Sequence, residues 1–229
     1  MKIKIENKNI LNIFAHPDDD AFGPGGTIIK LSKKNNIFEI LLTNGQSGTN
    51  QITGKKDKNL GIIRKKESKN SAKILGIKKI FFLNYQDGQL SNNLYHKIAK
   101  KIEKVIKKLK IDIILTYEPR GVSGHIDHVF ASMISSYLAL KNNLEILYFC
   151  LEENQRKTIK DYFIYFPPGY KKNEIDLEFD ISDVLEEKIK SIQCHKSQSK
   201  DGRLIINNLI KNKSYLKEFF IYKNFKKNY

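Results

Sequence analysis

Short apolar runs alternate with helix-patterned stretches through the first two-thirds of this chain, and that alternation restricts the fold more than any other feature. Ile10–Ala15, Ile37–Thr43, Ile80–Leu83, Ile111–Thr116 and Ile146–Leu151 read as buried strands. Between them the spacing predicts helices over about Gly25–Lys34, Leu60–Leu75, Ser91–Lys110 and Asp127–Leu140. In the third of these, Leu94, Ile98, Ile102, Val105, Ile106 and Leu109 form one stripe, and Gly76 is placed to end the second. Strands separated by helices connect by parallel crossovers. The expected class is therefore α/β: a Rossmann-like doubly wound, mainly parallel sheet with helices on both faces. In such sheets a ligand sits beyond the carboxyl ends of the strands, where strand order reverses.

The 229 residues suit a single domain, with about residues 152–229 as a less regular part of it. There Tyr162–Phe166 runs into Pro167-Pro168, Leu177–Ile181 reads as its short hairpin-like partner, and helices are expected near Asp183–His195 and Leu204–Phe220. The Gly-, Asn-, Thr- and Lys-rich stretch from Asn44 to about Asn59 reads as a mobile loop. Two cysteines, Cys150 and Cys194, are too few for a disulfide scaffold or a four-cysteine zinc site. The net charge of +16 comes almost wholly from lysines scattered along the chain, with arginine only at 64, 120, 156 and 203. Nucleic-acid surfaces favour the arginine fork, so no nucleic-acid partner is expected, although an anionic substrate or surface would be attracted. No apolar run is long enough to span a bilayer, and no signal peptide is read, so the expected location is cytoplasmic.

Two polar clusters follow predicted strands: His16-Pro17-Asp18-Asp19-Asp20 after the first, and Gly121-Val122-Ser123-Gly124-His125-Ile126-Asp127-His128 after the fourth. Doubly wound topology commonly places those strands side by side. A catalytic zinc takes three ligands and leaves a position for water. His16, one aspartate of the first loop and one histidine of the second supply such a set, with a carboxylate left as base and a histidine to face an oxyanion. Taken singly, each cluster is as well explained by a solvated turn or a helix cap. Together they point to metal-assisted hydrolysis, because three adjacent carboxylates repel and invite a cation. Spacing alone does not tell Asp18 from Asp19 as the ligand.

His16-Pro17-Asp18-Asp19, followed by Gly25-Gly26-Thr27, resembles the signature of the LmbE-like/PIG-L family of zinc-dependent de-N-acetylases, and Gly121–His128 resembles that family's second motif. The similarity runs from about Ile10 to Gln198, through Arg64, Glu67, Leu75-Gly76, Asp87-Gly88 and His195. The resemblance implies zinc held by His16, Asp19 and His128, with Asp18 as general base. It implies His125 as the cation facing the oxyanion, Asp127 orienting it, and Arg64 and Asp87 contacting substrate. The implied reaction removes an N-acetyl group from an N-acetylglucosamine-type conjugate; the exact sugar, the metal and a homo-oligomeric state stay open. Asp20 stands where the family often has glutamate, and Ser123 where some members have an oxyanion-donating tyrosine, a part Tyr117 or a later tyrosine could take.

Other readings compete. Gly23-Pro24-Gly25-Gly26, with Glu39 in the next strand, faintly resembles a dinucleotide loop, which would make this a nucleotide-binding or redox module. A glycine is missing, however, and Asp18–Asp20 would oppose a pyrophosphate. As a serine-esterase elbow, Gly121–His125 has His125 in place of the last glycine. Arg64 and Glu67, three apart on a helix, read equally well as a surface ion pair. His195 with Gln198 reads as a structural cap, His96 as solvated, and Cys150 as core. Cys194 and His195 are helix neighbours that point apart, so they form no dyad.

Overall fold

The computed structural model describes residues 4–159 and 165–227. The chain runs through β1 (Asn9–Phe14), a short α1 (Asp19–Phe22), α2 (Gly25–Ser32), β2 (Asn36–Thr43), α3 (Leu60–Leu75) and β3 (Ile77–Tyr85). Next come α4 (Tyr95–Leu109), β4 (Ile113–Tyr117), a short α5 (Gly121–Gly124), α6 (Ile126–Lys141) and β5 (Glu145–Cys150). It continues through α7 (Glu153–Lys157), β6 (Leu177–Asp180), α8 (Leu185–Gln193), α9 (Ser199–Lys211) and β7 (Lys217–Asn224). Among the described residues the strands make one seven-stranded sheet in the order β3-β2-β1-β4-β5-β7-β6. The first five are parallel, and β7 runs antiparallel to both β5 and β6.

The central strands read as near-continuous apolar runs, interrupted at Asn12 and Glu39, because both faces of the sheet are covered. Ile10 and Phe14 of β1 pack on one side with Ile28 of α2, Leu75 of α3 and Ile192 of α8. Leu11 and Ile13 point to the other side, against Ile98 and Ile102 of α4 and Ile134 and Leu138 of α6. Each such side chain contributes about 1.5–3 kcal/mol on burial. Strand order reverses between β1 and β4, where Ile10 lies beside Ile113 and Asn12 beside Leu115. The two histidine-bearing loops leave adjacent strands at that seam.

The later part of the chain corrects three expectations. No helix covers Leu204–Phe220: α9 stops at Lys211, where the Asn212 side chain accepts from the Ser214 amide and hydroxyl at 3.0 and 2.8 Å. Lys217–Asn224 is instead strand β7, which places Phe219 and Phe220 in the core. The segment Leu177–Asp180 is a strand that pairs with β7, Leu177 opposite Phe220, where Tyr162–Phe166 is the expected partner. Of that latter segment, residues 162–164 lie outside the described residues. The stretch from Asn44 to Asn59, read as mobile, is laced to the α8–α9 connection: Gln51 donates its amide to Ser197 O at 2.8 Å and its side chain to Asp201 at 2.6 Å.

One buried ion pair ties β7 to the site side of the sheet. Glu218 accepts from the Gly26 and Thr27 amides at 3.0 and 2.6 Å, supplying the start of α2 with the acceptor it otherwise lacks. Lys188 of α8 meets the same carboxylate at 2.5 Å, and both side chains are under 5% exposed.

Candidate active site

The first loop turns sharply after β1. Asp18 takes φ +106°, and Asp19 folds back so that its Oδ2 accepts from the Ala15 and His16 amides at 3.1 and 2.9 Å. The second loop is tighter still. Gly121 and Gly124 have φ +72° and +76°, and Val122 sits at φ +61°, a costly conformation for a β-branched residue. The Glu118 carboxylate holds that conformation, accepting from the Val122 and Arg120 amides at 2.8 and 2.7 Å and from the Tyr170 hydroxyl at 2.8 Å.

These turns bring His16, Asp19 and His128 into one cluster. His16 Nδ1 lies 3.1 Å from His128 Nε2, which is 3.3 Å from Asp19 Oδ1, and Asp19 Oδ2 is 3.7 Å from His16 Nδ1. Bonds of about 2.05 Å to a tetrahedral ion require donors about 3.3–3.4 Å apart, so the spacing fits zinc. The tautomers fit as well. His128 Nδ1 lies 3.1 Å from the Gly121 carbonyl, which can only accept, so the ring hydrogen is there and Nε2 offers a lone pair. His16 Nε2 faces the carboxylates of Asp87 at 3.0 Å and Asp127 at 3.3 Å, which leaves its Nδ1 as the lone-pair atom. Two lone pairs and a carboxylate thus converge on one point, an arrangement that calls for a cation.

Asp127 links the two sides of this centre. Beyond His16, its carboxylate accepts from the Gly88 and Leu90 amides at 2.8 and 3.3 Å. Its own amide donates to His125 Nδ1 at 3.1 Å, which puts the hydrogen of the neutral His125 ring on Nε2. Burial and then the neighbouring His16 and His128 bring His125 down to about 4. Burial opposes charge on His16, but Asp19, Asp127 and Asp87 overcome it and raise its pKa well above normal. For Asp19 burial is likewise outweighed, by His128 and His16, and its pKa falls well below the usual carboxylate range.

Asp18 does not point at the other two carboxylates' partners. Its Oδ2 is 2.9 Å from Arg64 Nη2, and Arg64, 5% exposed, also donates to the Gly45 and Pro17 carbonyls. Burial pushes Asp18 up to about 7, with Arg64 pulling down and Asp19 pushing up. Arg64 and Glu67 therefore form no surface pair: Glu67 is buried and accepts from the Ser197 amide and hydroxyl at 2.8 and 2.6 Å. Asp87 meets His16 through Oδ1 and the Ser47 amide through Oδ2 at 3.1 Å.

Tyr117 lies beneath the centre, donating to Asp19 O at 3.0 Å under the His128 ring, while Ser123 Oγ is 3.3 Å from His128 Nδ1. His195 is 1% exposed and packs edge-on to Phe22; it stands at the N-cap of the turn Lys196–Gln198 with no side-chain cap, and neither ring nitrogen has a partner among the described residues. Cys150 is core and His96 is exposed, as read. Glu39 is fully buried beside Asp20 rather than at a strand end, so it is not placed to meet a ribose. Sequence reasoning missed Glu118 and the Asp20–Glu39 pair. For Glu118 the signal was an acid one residue past a strand and ahead of a Gly-rich turn; for Glu39 it was an acid inside an apolar strand.

Comparison with known proteins finds deacetylases. The model of the PIG-L family, described as GlcNAc-PI de-N-acetylase, matches residues 11–138. Diacetylchitobiose deacetylase of Thermococcus kodakarensis is 34% identical over 83% of this chain and 70% of its own. A probable N-acetyl-alpha-D-glucosaminyl L-malate deacetylase 2 of Bacillus cereus is 28% identical over 94% and 98%. Among solved structures, N,N'-diacetylchitobiose deacetylase of Pyrococcus horikoshii superposes with a TM-score of 0.71 at 25% identity, covering 97% of this chain and 86% of its own.

Proposed function

The chain belongs to the PIG-L family of de-N-acetylases, hydrolases of N-acetyl amide bonds, and from that premise we propose that it deacetylates an N-acetylglucosamine-type sugar conjugate, releasing acetate and an amino sugar. The observation that carries the reading is the convergence of His16 Nδ1, His128 Nε2 and the Asp19 carboxylate, with Asp18 beside them. These three residues would hold a divalent ion, zinc by donor set and spacing. When bound, such an ion supplies Lewis acidity to the acetyl carbonyl and to a water molecule.

The chain's own residues do the rest. Asp18, braced by Arg64, takes a proton from the attacking water and returns it to the departing amine, and a carboxyl near 7 suits both tasks. His125 donates its Nε2 hydrogen to the oxygen on which charge develops. Asp127 and Asp87 hold His16 in the tautomer that leaves Nδ1 open. Asp87 keeps lone pairs for a sugar hydroxyl, while Arg64 acts on the substrate through Asp18.

The test is a screen of N-acetylated sugars for released primary amine, run with chelator and with zinc added back. Amine release that chelator abolishes and zinc restores is the expected result. Turnover unaffected by chelator would remove the metal from the proposal, and tight NAD binding without turnover would favour a nucleotide-binding module.

A further inference from the structure

The lysines are scattered in sequence but not in space. Residues 60–110 hold thirteen lysines and Arg64 against Glu67, Asp87 and Glu103, so this stretch carries eleven of the sixteen excess positive charges. It builds one flank of the molecule: α3 on one face of the sheet, α4 on the other, and edge strand β3 between them. Twelve of those lysines are exposed. No acid of the flank is: Glu67 and Asp87 are buried, and Glu103 is half-buried between Lys107 and Lys141.

Two further features narrow the partner. On α3, Lys66, Lys69 and Lys73 fall in one row that begins at Ile62, which is 71% exposed. On and beside β3, Lys65, Lys79 and Lys101 lie over the rings of Phe82, Phe81 and Tyr85 at 5.4, 5.0 and 4.7 Å, so these rings are not open platforms for bases. The flank's single arginine, Arg64, is buried against Asp18, which leaves no guanidinium fork on this surface. Like charge also opposes pairing of β3 with a second copy of the chain.

We propose that the α3–β3–α4 flank docks on the surface of an anionic lipid bilayer, with lysines facing the phosphates and Ile62 entering the headgroup layer. An exposed isoleucine at the head of a lysine row suits an interface that is apolar below and anionic above. Each lysine near such a surface contributes about fivefold in affinity. This docking is independent of the deacetylase reading.

Sedimentation of the full chain with phosphatidylcholine vesicles containing about one-third phosphatidylglycerol tests it. The chain is expected to go down with these vesicles, to stay in solution with pure phosphatidylcholine, and to be released by about 0.5 M salt. Lys66→Glu, Lys69→Glu and Lys73→Glu together should lower affinity at least about 30-fold, and Ile62→Ser about fivefold, with unchanged thermal melts. The same charge reversal at Lys171, Lys172 and Lys223, by the opposite sheet edge, should cost less than about threefold. Equal losses from the two triple variants, no loss from Ile62→Ser, absence of vesicle binding, or tighter retention by single-stranded RNA at the same salt would each overturn the proposal.

Discussion

His16 Nδ1 and His128 Nε2 stand 3.1 Å apart, and each ring has already committed its other nitrogen, to carboxylates in one case and to the Gly121 carbonyl in the other. Ring nitrogens held this close repel unless a proton or a metal ion lies between them and the Asp19 carboxylate. The protein meets that electrostatic cost with two loops, one of them strained at Val122, which is how a preorganised centre differs from a chance cluster.

Ligand and donor should separate on mutation. His128→Ala is expected to lose both bound zinc and turnover. His125→Ala should keep the metal and lose about 10²–10³ in kcat. Elemental analysis after dialysis, run beside kinetics, reads both, and equal metal loss would contradict the assigned parts.

Arg64 is expected to set the pH dependence of turnover through Asp18. The guanidinium lowers the Asp18 pKa, so Arg64→Met should raise it; a base must be deprotonated, and the acid limb of kcat/KM should move to higher pH. A profile of the zinc-loaded variant with the limb unmoved or lowered argues against Asp18 as base.

Glu118 is expected to act on metal affinity through the backbone. Glu118→Ala releases the Val122 and Arg120 amides, and the turn no longer fixes the Gly121 carbonyl against His128 Nδ1. Zinc affinity should fall about 10–100-fold. Competition with a chromogenic chelator gives the number, and unchanged affinity would confine Glu118 to the stability of its loop.

Asp20 and Glu39 make stability depend on pH. Burial raises Asp20 to about 6 and Glu39 well above its usual value, so the folded chain binds more protons here than the unfolded one. Both pKa values are raised, so the stability this pair confers is complete at acid pH and is lost as pH rises through about 6. Glu39→Gln keeps a hydrogen-bonding partner for Asp20 and removes one titration. Urea midpoints should fall less between about pH 5 and pH 8 in the variant than in the parent.

The Lys188–Glu218 pair predicts an asymmetry. Glu218→Gln leaves a buried ammonium without its counter-charge and should cost about 3–5 kcal/mol, whereas the double change Lys188→Met, Glu218→Leu should recover a large part of that. Urea unfolding of both variants decides; a double variant no more stable than the single one would mean that the contacts to Gly26 and Thr27 dominate.

The sheet was legible wherever burial on both faces wrote an unbroken apolar run, as in Ile146–Leu151, and α3 was legible to the residue because Gly76, at φ +75°, marks its end. β7 was not, because the apolar spacing of Leu204, Ile205, Leu209 and Ile210 runs on into Leu216, Phe219 and Phe220, and only the Asn212 cap separates helix from strand. In the site, His16, Asp19, His125 and His128 stood out because each motif is contiguous. Contacts made by lone residues at long range, Arg64 with Asp18 or Glu67 with Ser197, leave no periodic trace in a single sequence.

The seam between β1 and β4 has an evolutionary consequence. Backbone pairing from Ile10 to Asn12 fixes where both loops emerge, and the segments around the mouth reach the centre through a few contacts, Gly45 with Arg64, Ser47 with Asp87 and Tyr170 with Glu118. Insertions or exchanges in residues 44–59 or 165–176 can change which molecule is admitted while the donors hold their positions. Descendants of such a chain are free to trade one substrate for another without rebuilding the chemistry.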